Sequence, residues 1–166
     1  KETEELKQLN HPNLARVYDA TIEGGRCVLV AESLSGRSLA ALLRETGHLS
    51  PEKSVEILGQ VCQGLDHAHQ KGILHLDVTP SNIFLRDDGT VALMDFRTGR
   101  AHKGRYVTEK GSEGYQAPEL LAGAGGDARA DVYSLGAILY TMLTGKSPVG
   151  FFPLIGEVSP HARRYD

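Results

Sequence analysis

Apolar residues recur along this chain in two rhythms. Between Ser50 and Gly72 they fall at Val55, Leu58, Val61, Cys62, Leu65 and Ala68, the spacing of one helical face. Ser50-Pro51 opens that stretch with a capping hydroxyl and a proline at the first helical position, and Gly72 closes it. Asp127 to Gly145 repeats the pattern: Val132, Leu135, Ile138, Leu139, Met142 and Leu143 form a wide apolar face and predict a second buried helix. A shorter helix is predicted from Ser38, its cap, to Gly47, with Leu39, Leu42 and Leu43 on one side. Lys1 to Leu9, charged with Leu6 and Leu9 three apart, reads as the end of a helix stopped by Asn10-His11-Pro12.

The second rhythm is that of strands. Leu14 to Ile22 and Arg26 to Ala31 read as two strands around Glu23-Gly24-Gly25. Ile83-Phe84-Leu85 and Val91 to Met94 are short apolar runs joined by Arg86-Asp87-Asp88-Gly89, where Asp-Gly supplies tight-turn chemistry. A hairpin here returns the chain to its start, so Asn82 and Asp95 become neighbours. Asp77 precedes Asn82 in a loop constrained by Pro80. Two carboxylates and a carboxamide thus converge at one end of a hairpin. Such oxygen ligands suit Mg²⁺, which keeps several waters and is usually shared with substrate phosphates.

Three motifs stand in order on this frame. H-L-D-V-T-P-S-N, from His75 to Asn82, resembles the catalytic loop of eukaryotic-type protein kinases, H-R-D-L-x-x-x-N. D-F-R, from Asp95 to Arg97, resembles their D-F-G, and Q-A-P-E, from Gln116 to Glu119, resembles the A-P-E that closes the activation segment. The resemblance runs from about Lys1 to Pro148. It implies an α+β, protein-kinase-like fold: a mostly helical C-lobe with a remnant of the N-lobe antiparallel sheet. Residues 1–31 would be a partial N-lobe, 32–37 the hinge, and 38–166 a C-lobe incomplete at its C-terminal end.

The activity implied by the resemblance is that of a protein serine/threonine kinase. Such an enzyme moves the γ-phosphate of ATP to Ser or Thr of a protein substrate, with Mg²⁺ or Mn²⁺. By the same resemblance Asp77 orients or accepts the proton of the attacking hydroxyl, while Asn82 and Asp95 hold the metals. Thr79 stands where these kinases usually carry a lysine near the transferred phosphate. Glu2 matches the helix glutamate that pairs with a lysine on an earlier strand. Ala31 matches the gatekeeper; Ala31 to Leu34 matches the hinge, whose backbone bonds adenine, so Ala31, Glu32 and Leu34 join Phe84 in the nucleotide-binding set. His75 is expected to pack on Phe96, in a column with Leu6, Val17 and Asp131, and Asp131 to tie down the catalytic-loop backbone.

Departures from the family pattern matter. Leu76 replaces the arginine that gathers a phosphorylated activation loop, Thr79 supplies no charge, and Arg97 replaces a glycine whose torsions arginine resists. Thr108 lies where kinases often carry a phosphothreonine, with Arg100, Lys103 and Arg105 near in sequence; an unmodified polar loop fits equally well. Gly111 to Tyr115 resembles the G-T-x-x-Y that receives substrate. The distant arginine that usually pairs with the position of Glu119 is not found, and neither are the glycine-rich loop and the N-lobe lysine. These 166 residues alone are therefore expected to be inactive, with a raw sheet edge. Two alternatives stay open: a pseudokinase or ATP-binding regulatory module, and a small-molecule kinase of the same fold, which the A-P-E segment opposes.

Composition narrows the rest. The chain is 40% hydrophobic and 23% charged, with a net charge of −3, an ordinary globular balance with no basic footprint for nucleic acid. No run approaches a membrane span, and no signal-peptide pattern is present, so a cytoplasmic setting without a membrane segment is expected. Cys27 and Cys62, far apart and without C-x-x-C, read as free buried thiols. His67 and His69 are two apart, point to different helix faces, and read as structural rather than metal-binding. Phe151, Phe152, Leu154 and Ile155 form an apolar run expected to be exposed.

Overall fold

The computed structural model describes residues 2–23, 26–96, 113–150 and 152–158. Helix α1 (Glu2–Lys7) leads into the antiparallel pair β1 (Val17–Glu23) and β2 (Arg26–Ala31). After β3 (Gly36–Ser38) come α2 (Leu39–Thr46) and α3 (Pro51–Gln70), then the hairpin β4 (Ile83–Arg86) and β5 (Val91–Leu93). A single 3-10 turn at Glu113–Tyr115, α4 (Pro118–Leu121), α5 (Ala128–Thr144) and α6 (Ile155–Val158) follow.

The helices begin and end where the sequence places them. Ser38 and Ser50 accept from the backbone N–H of Ala41 and Lys53, and Asp127 from that of Arg129. Gly47 and Gly145 close α2 and α5 with positive φ. The helical faces differ from the expected ones. On α3 the buried line is Ser54, Ile57, Val61, Gly64, Leu65 and Ala68, while Val55 is 60% exposed and Cys62 is a free but exposed thiol, not a buried one. Small residues take the inner line because neighbours approach closely: a Cβ on Gly64 would stand 2.8 Å from the Asn13 carbonyl oxygen. On α5 Val132 is 62% exposed, and Ala130, Asp131, Ser134, Ala137 and Thr141 turn inward beside Ile138 and Met142. The side chain of Cys27 lies outside the described residues.

Two sheets result. β1 and β2 stand as a pair; β3, β4 and β5 form the other, in that order. The strand β3 has no apolar alternation to announce it, and it takes Gly36 and Arg37 from the stretch expected as hinge. Gly36 pairs with Arg86 at φ 138°, where a side chain would run into the Leu85 carbonyl.

One apolar core joins the parts, running from Leu6, Leu9 and Leu14 through Ile57 and Val61 to Ile83, Leu93, Ile138 and Met142. The first sheet is tied to the second by a short ladder. Leu14 bridges Leu93, Ala15 N–H donates to the Leu93 carbonyl (2.9 Å), and Leu93 N–H donates to the Asn13 carbonyl (2.9 Å). Asn13 Nδ2 adds bonds to the Val91 carbonyl (2.8 Å) and Gln60 Oε1 (3.1 Å). Near the end of the described chain Phe152 and Leu154 are exposed as expected, while Phe151 lies outside the described residues. Among the described residues no helix is long and apolar enough to cross a membrane.

Candidate active site

The β4–β5 hairpin closes as its turn chemistry dictates. Gly89 takes φ 86°, and Met94 N–H donates to the Asn82 carbonyl (2.9 Å), so the residue entering β4 and the residues leaving β5 are adjacent. Asn82 N–H donates to the Thr79 carbonyl (3.0 Å), closing the turn after Pro80. Asn82 Nδ2 donates to the Asp77 carbonyl (2.9 Å), which fixes the carboxamide and leaves Oδ1 as the atom suited to a cation. Asp77 and Asn82 are half-buried, Asp95 is exposed, and Thr79 is only 8% exposed.

His75 holds the two acidic segments together. It is fully buried, and its ring lies 4.5 Å from that of Phe96, centroid to centroid. Nδ1 accepts from Asp77 N–H (3.2 Å), so the neutral ring carries its proton on Nε2, which donates to the Met94 carbonyl (2.9 Å). Burial pushes the His75 imidazole below its ordinary value near 6.5; Asp131, Asp77 and Asp95 pull the other way without prevailing. Of the expected column, His75 meets Phe96 and Asp131 directly; Leu6 and Phe96 belong to the main core, and Val17 packs against that core.

Asp131, wholly buried on α5, accepts three hydrogen bonds. Oδ2 takes His75 N–H (3.0 Å) and His69 Nε2 (2.8 Å), and Oδ1 takes Leu76 N–H (2.7 Å). His69 is thus structural, as expected, and His67 stacks near His11 with ring centroids 5.2 Å apart. Leu76 has φ 58°, an uncommon conformation for a branched side chain, and Asp131 holds it there. Its side chain packs against Ala117, Leu120 and Ala130, so an apolar contact with the A-P-E segment occupies the place where an arginine was missed. Asp95 is the second non-glycine residue with positive φ, at 59°.

Beside these residues lies a cleft of about 310 Å³. Ala15, Val17, Leu29 and Ala31 line it from the β1–β2 side, Phe84 and Met94 from the hairpin, and Leu6, Asp95 and Phe96 from its inner end. Glu32 and Leu34 complete it. Ala31, Glu32, Leu34, Phe84 and Asp95 are thereby brought to one cavity; Asp77, Thr79 and Asn82 do not line it, and of these Asn82 is bonded to Met94, which does. Glu2 lies on α1, with its side chain outside the described residues; Arg97, Arg100, Lys103, Arg105 and Thr108 lie outside them entirely. Sequence reading missed Ala15, Leu29 and Met94, whose alternation in strand-like runs was the available signal. Arg86, which the sequence pattern assigns to the turn, also belongs to this neighbourhood through its bond to Glu32.

The comparisons agree with this geometry. The pattern of the protein kinase domain family matches residues 1–151. The chain is 38% identical to the serine/threonine-protein kinase PknB of Mycolicibacterium smegmatis, covering 89% of this chain and 25% of that one. It is 37% identical to PknB of Mycobacterium tuberculosis with the same coverage, and 38% identical to PknL of that organism, covering 89% of this chain and 38% of PknL. The chain therefore spans about a quarter of the length of the PknB relatives it matches. With the motif order, the hairpin that joins residues 82 and 94, and a pattern match over residues 1–151, the chain belongs to the protein kinase domain family.

Proposed function

We propose that this chain forms the nucleotide cleft and phosphoryl-transfer end of a protein serine/threonine kinase. The observation that carries the reading is that Asn82, at the open end of β4–β5, is bonded to Asp77 and to Met94, the neighbour of Asp95, while Asp95 lines a cleft with Ala31, Glu32, Leu34 and Phe84. Residues 1–31 belong in this reading to the N-lobe, 32–37 to the hinge region and 38–166 to the C-lobe.

The apolar walls of the cleft suit a purine, and the backbone at 31–34 borders it where adenine would need polar partners. Phe84 gives the base a flat apolar surface, and Glu2 would lie on the helix at the back. Asn82 Oδ1 and the exposed Asp95 carboxylate are a hard-oxygen pair that fits a divalent cation completed by phosphate oxygens and water. Mg²⁺, with Mn²⁺ as a substitute, neutralises phosphate charge when bound. Asp77 accepts and orients the proton of a Ser or Thr hydroxyl on a protein substrate; its position is set by the backbone bond to His75. Thr79 offers a hydroxyl and no charge. The setting this reading implies is the cytoplasm, where ATP and Mg²⁺ are supplied.

The test uses the full-length protein that carries this chain. ATP with Mg²⁺ should raise its melting temperature, and Asp95→Asn should abolish the shift. Asp77→Asn should lower kcat by about 10²- to 10⁴-fold while nucleotide affinity stays within about twofold. Absence of any nucleotide-dependent shift in the wild type would sink the reading. Thr79, which brings no charge where a lysine usually stands, favours one second reading: a module that binds ATP without transferring phosphate. A normal shift with no transfer to any Ser or Thr peptide would establish that instead.

A further inference from the structure

Arg86 was no part of the site expected from the motifs, yet its guanidinium joins β4 to the stretch at Pro12 and to Glu32, which lines the cleft. It projects from β4 on the same side as Phe84, two residues earlier, because alternate residues of a strand share a face. Nη1 donates to the Pro12 carbonyl (2.7 Å), in the stretch between α1 and β1. Nη2 donates to Glu32 Oε1 (2.9 Å), just beyond β2. The pair is well covered, with side-chain exposures of 16% for Arg86 and 29% for Glu32.

Glu32 carries the link onward. Its other oxygen, Oε2, accepts from Arg16 N–H (3.0 Å), and its own N–H donates to the Arg16 carbonyl (2.8 Å). One residue further, Asp87 N–H donates to the Ser35 carbonyl (3.1 Å). A planar, five-donor fork therefore sits where the stretch at Pro12, the approach to β1 and the segment after β2 all meet β4.

We infer that Arg86 is a positioning residue for the nucleotide slot: acting through Glu32 and the Pro12 carbonyl, it sets the distance between the 31–34 backbone and Phe84. The inference rests on the nucleotide reading of the cleft. An adenine ring is a rigid slab; the β3–β4 ladder anchors the chain from Gly36 onward, and Arg86, through Glu32, reaches the stretch before that ladder. Fixing their separation before binding lowers the ordering cost of the complex. The residues suited to phosphate chemistry lie at the far end of the hairpin, held by His75 and Asp131, so the fork should act on binding rather than on the transfer step.

The experiment measures KM for ATP, kcat and nucleotide affinity in the full-length protein for Arg86→Met, Arg86→Lys and Glu32→Gln. Arg86→Met should raise KM and Kd for ATP about five- to tenfold, with kcat changed by less than about twofold. Arg86→Lys keeps the charge but reaches only one acceptor, and should fall between. Glu32→Gln keeps an oxygen for Arg16 N–H and weakens the Arg86 bond, so the Glu32→Gln/Arg86→Met double variant should bind no worse than Arg86→Met alone. A merely structural arginine would lower the melting temperature without this KM-only signature and without coupling to Glu32. Unchanged KM and Kd, a fall in kcat as large as the rise in KM, or fully additive effects would overturn the inference. Should Arg86→Met fail to fold, Arg86→Lys and Glu32→Gln decide by the same measures. Failure of the wild type to bind ATP would instead count against the nucleotide reading itself.

Discussion

The two hairpins of this chain are held in opposite ways. In β4–β5, Ile83, Ala92 and Leu93 are wholly buried and Val91 is 2% exposed, with α3 packed alongside. In β1–β2, Tyr18 is 55% exposed, Val30 50% and Val28 40%. The second hairpin hangs from the first through the Asn13 to Ala15 ladder and Glu32, and from α1 through the Lys7–Asp19 ion pair at 2.8 Å. Groups suited to phosphate chemistry thus sit on the deeply packed element, and the surface that would cover a base sits on the lightly tethered one. In the proposed reading, the more rigid element carries the reacting groups and the more lightly packed one covers the ligand.

The most direct way to break this contrast is Asp131→Ala. It leaves the buried N–H groups of His75 and Leu76 without an acceptor and releases the left-handed turn at Leu76, and should cost about 3–5 kcal/mol in urea unfolding. A loss under about 1 kcal/mol would mean that the β4–β5 end is no more firmly anchored than the rest. Next in size is Gly64→Ala. Its new methyl would meet the Asn13 carbonyl oxygen and Leu14 Cδ2, each at 2.8 Å, and should cost about 1–3 kcal/mol. Hydrogen exchange should then speed up across β1–β2 more than across β4–β5; equal acceleration would erase the distinction between them.

The mildest probe is pH. Burial holds His75 below its ordinary value near 6.5, and burial followed by the nearby His67 does the same to His11. A histidine with a lowered folded value favours folding at high pH. Its contribution is complete above the unfolded value near 6.5 and is eroded as pH falls from there towards the lowered folded value. Stability should therefore decline from about pH 6.5 downward, before the carboxylates titrate. A profile flat to about pH 5 would show that His75 finds another way to stay buried when charged.

Much of the frame was legible because it rests on local chemistry. Ser38, Ser50-Pro51 and Asp127 start helices by satisfying their own first N–H groups, and Gly89 makes its turn by torsion alone. The motif order located the hairpin end and the His75–Phe96 contact. What the letters hid was non-local. Val55, Cys62 and Val132 fit an apolar period yet face outward, since the inner lines of α3 and α5 are set by how closely neighbours approach. Ser54 and Gly64 are inside for that reason, and no hydrophobicity count favours them. The strand β3 exists only because Gly36 admits the Leu85 carbonyl, and the reach of Arg86 to Glu32 crosses 54 positions of sequence.

The ring of His75 has one further consequence. Through one nitrogen it touches the amide of Asp77; through the other, the carbonyl just before Asp95. The gauge between the segments bearing those two acids is thus the breadth of a single imidazole, a rigid aromatic spacer that neither stretches nor bends with heat. Proton uptake alone turns its accepting nitrogen into a donor, so the chain carries a built-in calliper that acid, rather than temperature, would force open.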